Sequence, residues 1–195
     1  MVTKSKIDSM PLPNWCPEVE TKPAPMPLLL VQAFINTSDA EKRTDLLDDP
    51  DTAASWFTSA ELLKQGARVT AKEVDRARGL RESLRDLLEG RDVADLTPLR
   101  AVAASQQPEL RVSDDGTLGL RNPHKDNIDD ALFELLLIVR AAQEDGSWSR
   151  LKVCANDECR WVFYDNSRNR QGNWCDMAIC GNRIKNRQLR ARRRR

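Results

Sequence analysis

The sequence predicts an α+β chain: a mostly helical N-terminal domain with a small hairpin, followed by a small four-cysteine module that ends in a basic helix. Three observations carry this prediction. Between residues 49 and 146, apolar residues recur at helical spacing behind recognisable capping signals. Four of the five cysteines fall within 27 positions near the C-terminus. Charge is also split along the chain. Residues 150–195 hold 13 Lys and Arg against 4 Asp and Glu, a net of +9, which leaves −8 for residues 1–149 behind an overall charge of +1. That asymmetry describes an acidic body with a basic segment suited to a polyanion.

The elements follow in order. Residues 1–27 contain six of the ten prolines. Proline fixes φ and removes a donor, so this stretch reads as an extended leader. Leu28 to Asn36 is an apolar run that fits either a strand or a buried helix. Asp49-Pro50 opens a helix with the stripe Ala53, Trp56, Phe57, Ala60 and Leu63. Thr70 and Glu73 form a capping box for a helix that carries Val74, Ala77, Leu80, Leu84, Leu87 and Leu88. Thr97-Pro98 opens a shorter helix, and Leu110 to Leu120 reads as a hairpin around Ser113-Asp114-Asp115-Gly116. Asn127 caps a long helix. Asp129 and Asp130 suit the positive end of its dipole, Leu132, Leu135, Leu136 and Val139 form its apolar face, and Gly146 stops it.

Composition narrows the class. With 40% hydrophobic and 31% charged residues the chain reads as a soluble globular protein. No apolar run is long enough for a membrane span, and the N-terminus lacks the pattern of a secretory signal, so a cytoplasmic, reducing location is expected. No catalytic set stands out, and no enzyme is expected. His124, the only histidine, lies in a loop, and neither a glycine-rich phosphate loop nor a nucleophile elbow is present.

The cysteines form two C-x4-C pairs, Cys154 with Cys159 and Cys175 with Cys180, fifteen residues apart. Each spacing lets two sulfurs point at one centre, and the connecting segment is long enough to fold back. Four thiolates in paired spacing are what one structural zinc ion takes, with no position left for a catalytic water. An iron–sulfur cluster uses the same ligand number but usually other spacings, and disulfides call for an oxidising compartment. Cys16 stands apart as a free thiol. A module of about 45 residues has little apolar surface, so metal binding is expected to order it around Leu151, Val153, Trp161, Val162, Phe163, Trp174, Met177 and Ile179.

From Trp174 onward the sequence reads as one helix with Cys175 and Cys180 at its start. Arg183, Arg187, Arg190 and Arg194 recur on one face; Lys185 broadens the stripe, and Asn182 and Asn186 lie beside it. Like charges at i, i+4 destabilise an isolated helix, so the face calls for a polyanion, and guanidinium groups suit phosphates. Arg168 and Arg170, between the cysteine pairs, are candidate flanking contacts. RNA is a second candidate partner through stacking on Trp161, Tyr164 and Trp174. A zinc-scaffolded adaptor for other proteins is a third reading. A membrane surface is disfavoured, because the helix lacks a broad apolar face.

Cys180-Gly181-Asn182-Arg183 is the signature of the CGNR zinc finger family. The resemblance runs from Leu151 through Cys154, Cys159, Phe163, Asp165, Ser167, Arg168, Asn169, Arg170, Trp174 and Cys175 to Lys185 and the arginine tail. Residues about 28–146 resemble the ABATE domain that precedes this finger, through Asn36-Thr37 and the Asp45-Leu46-Leu47 before a tryptophan-containing helix. The resemblance implies an α+β architecture divided into a leader (1–27), an α-rich domain (28–146) and a zinc finger with an arginine-rich helix (150–195). It also implies a bacterial stress-induced transcription regulator whose finger binds DNA. The acidic helical body is expected to sense a small-molecule effector or to mediate homodimerisation. The chain departs from the expected pattern at Asn166, where a basic residue is expected, so one phosphate contact would be missing there.

Overall fold

The computed structural model describes residues 12–17, 20–90 and 95–193. Six helices and three two-stranded antiparallel sheets make up the chain there: α1 (Leu28–Ile35), β1 (Ser38–Asp39), β2 (Thr44–Asp45), α2 (Pro50–Ser59), α3 (Ala71–Glu89), α4 (Thr97–Ser105), β3 (Glu109–Val112), β4 (Leu118–Arg121), α5 (Ile128–Glu144), β5 (Leu151–Val153), β6 (Val162–Tyr164) and α6 (Asn182–Arg193). The sheets are the hairpins β1–β2, β3–β4 and β5–β6.

The predicted caps form. The Asp49 carboxylate accepts from the amides of Asp51 and Thr52, and Thr70 with Glu73 and Asn127 with Asp130 both close full capping boxes. The ambiguous run at Leu28 is α1, and the reason it carries no helical period is its position. Every residue of it except Leu30 is buried, so no polar face is needed. Phe34 near its C-terminal end meets Trp56 and Phe57 of α2 with ring centroids 5.9 and 6.0 Å apart, and these two rings meet edge to face at 5.0 Å.

Buried arginines tie α3 to the rest. Arg81 donates to both carboxylate oxygens of Asp45 at 2.6 and 2.8 Å and to Thr37 Oγ1, while Arg85 reaches the carbonyl of Ile35 at 2.6 Å. Both guanidiniums thereby pair groups at a helix or strand end, although the buried Nε of Arg85 has no partner among the described residues.

The described residues of the leader are pinned to the body at several points. Trp15 and Cys16 are buried in the main core, and the Trp15 carbonyl accepts the Trp56 indole N–H at 3.1 Å. Gln32 of α1 holds the segment from below: its Oε1 accepts from Ala24 N at 2.7 Å and its Nε2 donates to the Lys22 carbonyl. The Lys22 carbonyl also accepts from Tyr164 N at 2.9 Å, so the leader covers the free edge of β6. Proline-rich chain suits such a role, since it runs extended and loses little conformational freedom when fixed.

The hairpin β5–β6 does not stand apart from the helices. Leu151, Val162 and Tyr164 belong to the same apolar cluster as α1, α2, α3 and α5, while Trp161, Phe163 and the cysteines form a second, smaller cluster on the other side. Alternation along β6 therefore joins two cores through one strand. Val162 is locked in place by Asn36, whose Oδ1 accepts from Val162 N and whose Nδ2 donates to Val162 O, both at 2.8 Å. Residues Met177 and Ile179, expected in the module core, are instead about half exposed. The wide turn that carries them points their side chains outward while it turns Cys180 in.

Candidate metal centre and basic surface

The first cysteine pair lies on the turn between β5 and β6. Cys154 N donates to the Trp161 carbonyl at 2.8 Å, which continues the ladder one step past β5, and the amides of Cys159 and Arg160 both donate to the Asn156 carbonyl. Arg160 takes a left-handed conformation, φ 52°, which lets the chain reverse directly after Cys159. The second pair is set by a cap. Asp176 Oδ1 accepts from Ala178 N at 2.6 Å and Ile179 N at 3.0 Å and starts a wide π-type turn, Met177–Gly181, that leads into α6. The helix thus begins after Cys175, not at Trp174 as the sequence suggested; Cys180 sits in its opening turn.

The four Sγ atoms lie within 4.8 Å of one another. Cys159 to Cys175 and Cys175 to Cys180 are both 3.7 Å apart. Sulfurs arranged tetrahedrally at about 2.3 Å from one ion stand about 3.8 Å from each other. A disulfide would need about 2.05 Å, and all five cysteines are free. The donor set fits one structural zinc ion held by Cys154, Cys159, Cys175 and Cys180. Zinc would supply a cross-link between the β5–β6 turn and the start of α6.

Hydrogen bonds from the Cys159 and Cys175 thiols pull the Cys154 thiol down, and the same crowding pushes Cys159 and Cys175 up. Four crowded thiolates need a dication to coexist. Asn156, wholly buried, places its Nδ2 3.8 Å from Cys180 Sγ and can stabilise that thiolate. Nothing in the cysteine spacing pointed to Asn156; only its place inside the first C-x4-C pair is a signal.

The leader closes the centre. Thr21 Oγ1 donates to the Cys175 carbonyl at 3.1 Å, Lys22 Nζ to the Trp174 carbonyl, and the same ammonium lies 4.7 Å from the centre of the Phe163 ring. Glu20 is buried beside it and accepts from Trp161 Nε1 at 3.0 Å and Asn36 Nδ2 at 3.2 Å. Burial pushes this carboxyl up against the pull of its hydrogen bonds from Lys22 N, Trp161, Gln32 and Asn36.

A second hub organises the loop between the cysteine pairs. Asp165, buried, accepts from Lys152 Nζ at 2.8 Å, Ser167 N and Oγ at 3.0 and 2.6 Å, and Gly172 N at 2.7 Å. Burial opposes ionisation, but the Lys152 ammonium and these donors hold the carboxyl well below the usual carboxylate range. Lys152 Nζ also donates to the carbonyls of Arg170 and Gly172. A Cβ on Gly172 would lie 2.9 Å from the Asp165 carboxyl, so the loop closes here only around glycine. The result is a fixed loop with Arg168 and Arg170 exposed on it.

On α6, Asn182, Arg183, Lys185, Asn186, Arg187 and Arg190 are all exposed, and Arg194 lies outside the described residues. Three of these side chains have protein partners. Arg183 pairs with Glu41 at 2.7 Å, Arg187 with Glu158 at 2.9 Å, and Asn182 Nδ2 donates back to the Ala178 carbonyl at 3.0 Å. The rings considered for stacking are less available than expected: Trp161 and Tyr164 are buried and Trp174 is half-buried. No helix among the described residues is long and apolar enough to cross a membrane.

A helical body fused through a shared strand to a four-thiolate centre, with a basic helix issuing from that centre, defines a zinc-finger protein. The model of the ABATE family, described as "Putative stress-induced transcription regulator", matches residues 29–144, and that of the CGNR zinc finger matches residues 150–193. The chain belongs to the ABATE family, with a C-terminal CGNR finger. A search of curated proteins returned no match.

Proposed function

We propose that the chain is a cytoplasmic, bacterial DNA-binding transcription regulator and not an enzyme, with zinc setting the pose of its recognition helix. The observation that carries this reading is the placement of Cys180 inside the turn from which α6 starts. That turn binds the ion, so the ion fixes the direction of the helix and of its arginines relative to the body. Arg183, Arg187 and Arg190 follow at i, i+4 and i+7 on one face, and Arg168 and Arg170 stand on a loop made rigid by Asp165. Guanidinium groups held this way suit phosphates on either side of a major groove, and Asn186 on the same helix suits base edges.

Fluorescence anisotropy with zinc-loaded protein and a labelled duplex tests the reading. Six cations, namely Arg168, Arg170, Arg183, Lys185, Arg187 and Arg190, contacting one phosphate each give a log–log salt slope of about −5. Arg187→Ala should lower that slope by about 1 and weaken binding evenly across sequences if it meets phosphate. No binding to any duplex at low salt ends the proposal. Preference for structured RNA over duplex DNA in competition would move it to the RNA reading, which the burial of Trp161 and Tyr164 disfavours.

A further inference from the structure

Asn182 opens the helix that carries the arginines, and its place beside them in the sequence suggests a reader of base edges. Its side chain is committed elsewhere. Nδ2 donates back to the Ala178 carbonyl at 3.0 Å. The amide therefore lies along the helix surface towards the preceding turn, the direction in which helical side chains lean. A bidentate contact to adenine needs Nδ2 and Oδ1 turned outward together.

The bond lies where the backbone ladder is least regular. The Asp176 carbonyl accepts two amides, Cys180 N at 3.0 Å and Gly181 N at 3.2 Å, and Asn182 N is shared between the Met177 and Ile179 carbonyls. Such a turn is wider than an α-helix and returns to α register only with α6. Across that junction the Asn182 side chain adds a bond, four residues back, beyond what its shared amide supplies. The turn it closes contains Cys180, which is 1% exposed and holds its sulfur 3.7 Å from that of Cys175. Asp176 fixes this turn from its start through Ala178 N and Ile179 N. Asn182 fixes it from its end.

We propose that Asn182 is a positioning residue: its amide clamps the Met177–Gly181 turn, and with it both the Cys180 ligand and the direction of α6, and it reads no base. The first half stands on the metal centre alone, and the second rests on the DNA-binding reading. Direction matters because an error at the start grows along the helix. At about 1.5 Å per residue the backbone of Arg190 lies about 12 Å beyond that of Asn182, so a tilt of about 10° displaces it by about 2 Å. A guanidinium–phosphate hydrogen bond does not survive such a shift. Asn186, one turn further on and exposed, remains the candidate reader.

Competition for zinc between the full chain and a chromophoric chelator is the test. Asn182→Ala should lower zinc affinity about three- to tenfold, the span expected of one net hydrogen bond. Helix propensity predicts the opposite sign, since alanine is the best helix former. The hydroxyl of Asn182→Ser reaches the carbonyl four residues back, so this variant should stay within about twofold of the parent. Cobalt in place of zinc should show shifted visible bands in the alanine variant and parental bands in the serine variant. At saturating zinc, anisotropy with a duplex selected from a random library, and with the unselected library, addresses the second half. Asn182→Ala should weaken both by the same factor and Asn182→Ser neither, whereas Asn186→Ala should lower the ratio between them. Parental zinc affinity and cobalt bands in Asn182→Ala overturn the clamp, as does a serine variant as weak as the alanine one. A ratio that falls in both Asn182 variants makes Asn182 a base reader and overturns the second half. A chain that binds no duplex overturns the DNA-binding reading and the second half with it, while the zinc result still decides the first.

Discussion

Asn36→Ala is the sharpest probe of the bond between body and metal centre. The side chain is buried and spans two elements, accepting the Val162 N–H and donating to the Val162 carbonyl, both at 2.8 Å. On removal the carbonyl keeps its second donor, Gln32 Nε2 at 3.2 Å, but the N–H has nothing else within reach. Leaving one buried donor unpaired costs about 1–3 kcal/mol. Glu20 also loses one of its donors at 3.2 Å, so the total should be about 2–4 kcal/mol. For a chain of this size that lowers the melting temperature by roughly 5–12 °C. Asn36→Asp should be worse, because its second oxygen would face the Val162 carbonyl and the Glu20 carboxylate. Urea unfolding of zinc-loaded protein followed by tryptophan fluorescence measures the difference, with exposed Asn169→Ala as a control expected to stay within about 0.5 kcal/mol. A loss below about 0.5 kcal/mol for Asn36→Ala would show that the hairpin does not depend on the body, and the reasoning about a shared strand would be wrong.

Two further perturbations address the basic surface. Asp165→Asn removes the charge that holds Lys152 and the 165–172 loop. Since the native carboxyl titrates below its unfolded value, its contribution is present above about pH 4 and is lost as the pH falls further, so the pH dependence of stability between about 4 and 2 should flatten in the variant. DNA affinity should also fall several-fold if Arg168 and Arg170 are held by this loop; anisotropy unchanged from the parent would remove the loop from the interface. Glu41→Gln and Glu158→Gln free Arg183 and Arg187 from solvent-exposed ion pairs, which are weak and screened by salt. Duplex affinity should therefore rise by up to about fivefold per variant at low salt and converge with the parent at high salt, and an affinity that falls instead would mean that these pairs orient the helix.

The elements were legible in the sequence wherever one local signal sufficed. Asp49-Pro50, Thr70 with Glu73 and Asn127 with Asp130 each specify a helix start through a side chain that reaches its own turn, and such contacts need no partner from elsewhere. The cysteine pairs were legible for a similar reason, because ligand spacing is local even when the site is not. What failed depended on the rest of the chain. Leu28–Ile35 carries no period because it is covered on nearly all sides. The leader's proline content reads the same whether it is free or pinned by Gln32 and Trp56. Met177 and Ile179 are apolar yet exposed, and only the geometry of the turn after Asp176 decides that. Asn156 and Glu20 were invisible as site residues because a buried polar side chain is recognised by its partners, which lie up to 141 positions away in sequence.

The central claim is that zinc, held by Cys154, Cys159, Cys175 and Cys180, poses a helix for DNA. The most direct measurement compares duplex affinity and salt slope for the zinc-loaded chain, the chain after chelation, and the chain after zinc is restored. One zinc per chain should be bound before chelation, affinity should fall at least tenfold on its removal with a shallower slope from the tail alone, and zinc should restore both values. Unchanged affinity and slope in the chelated protein would contradict the account and leave the arginines to act without the metal.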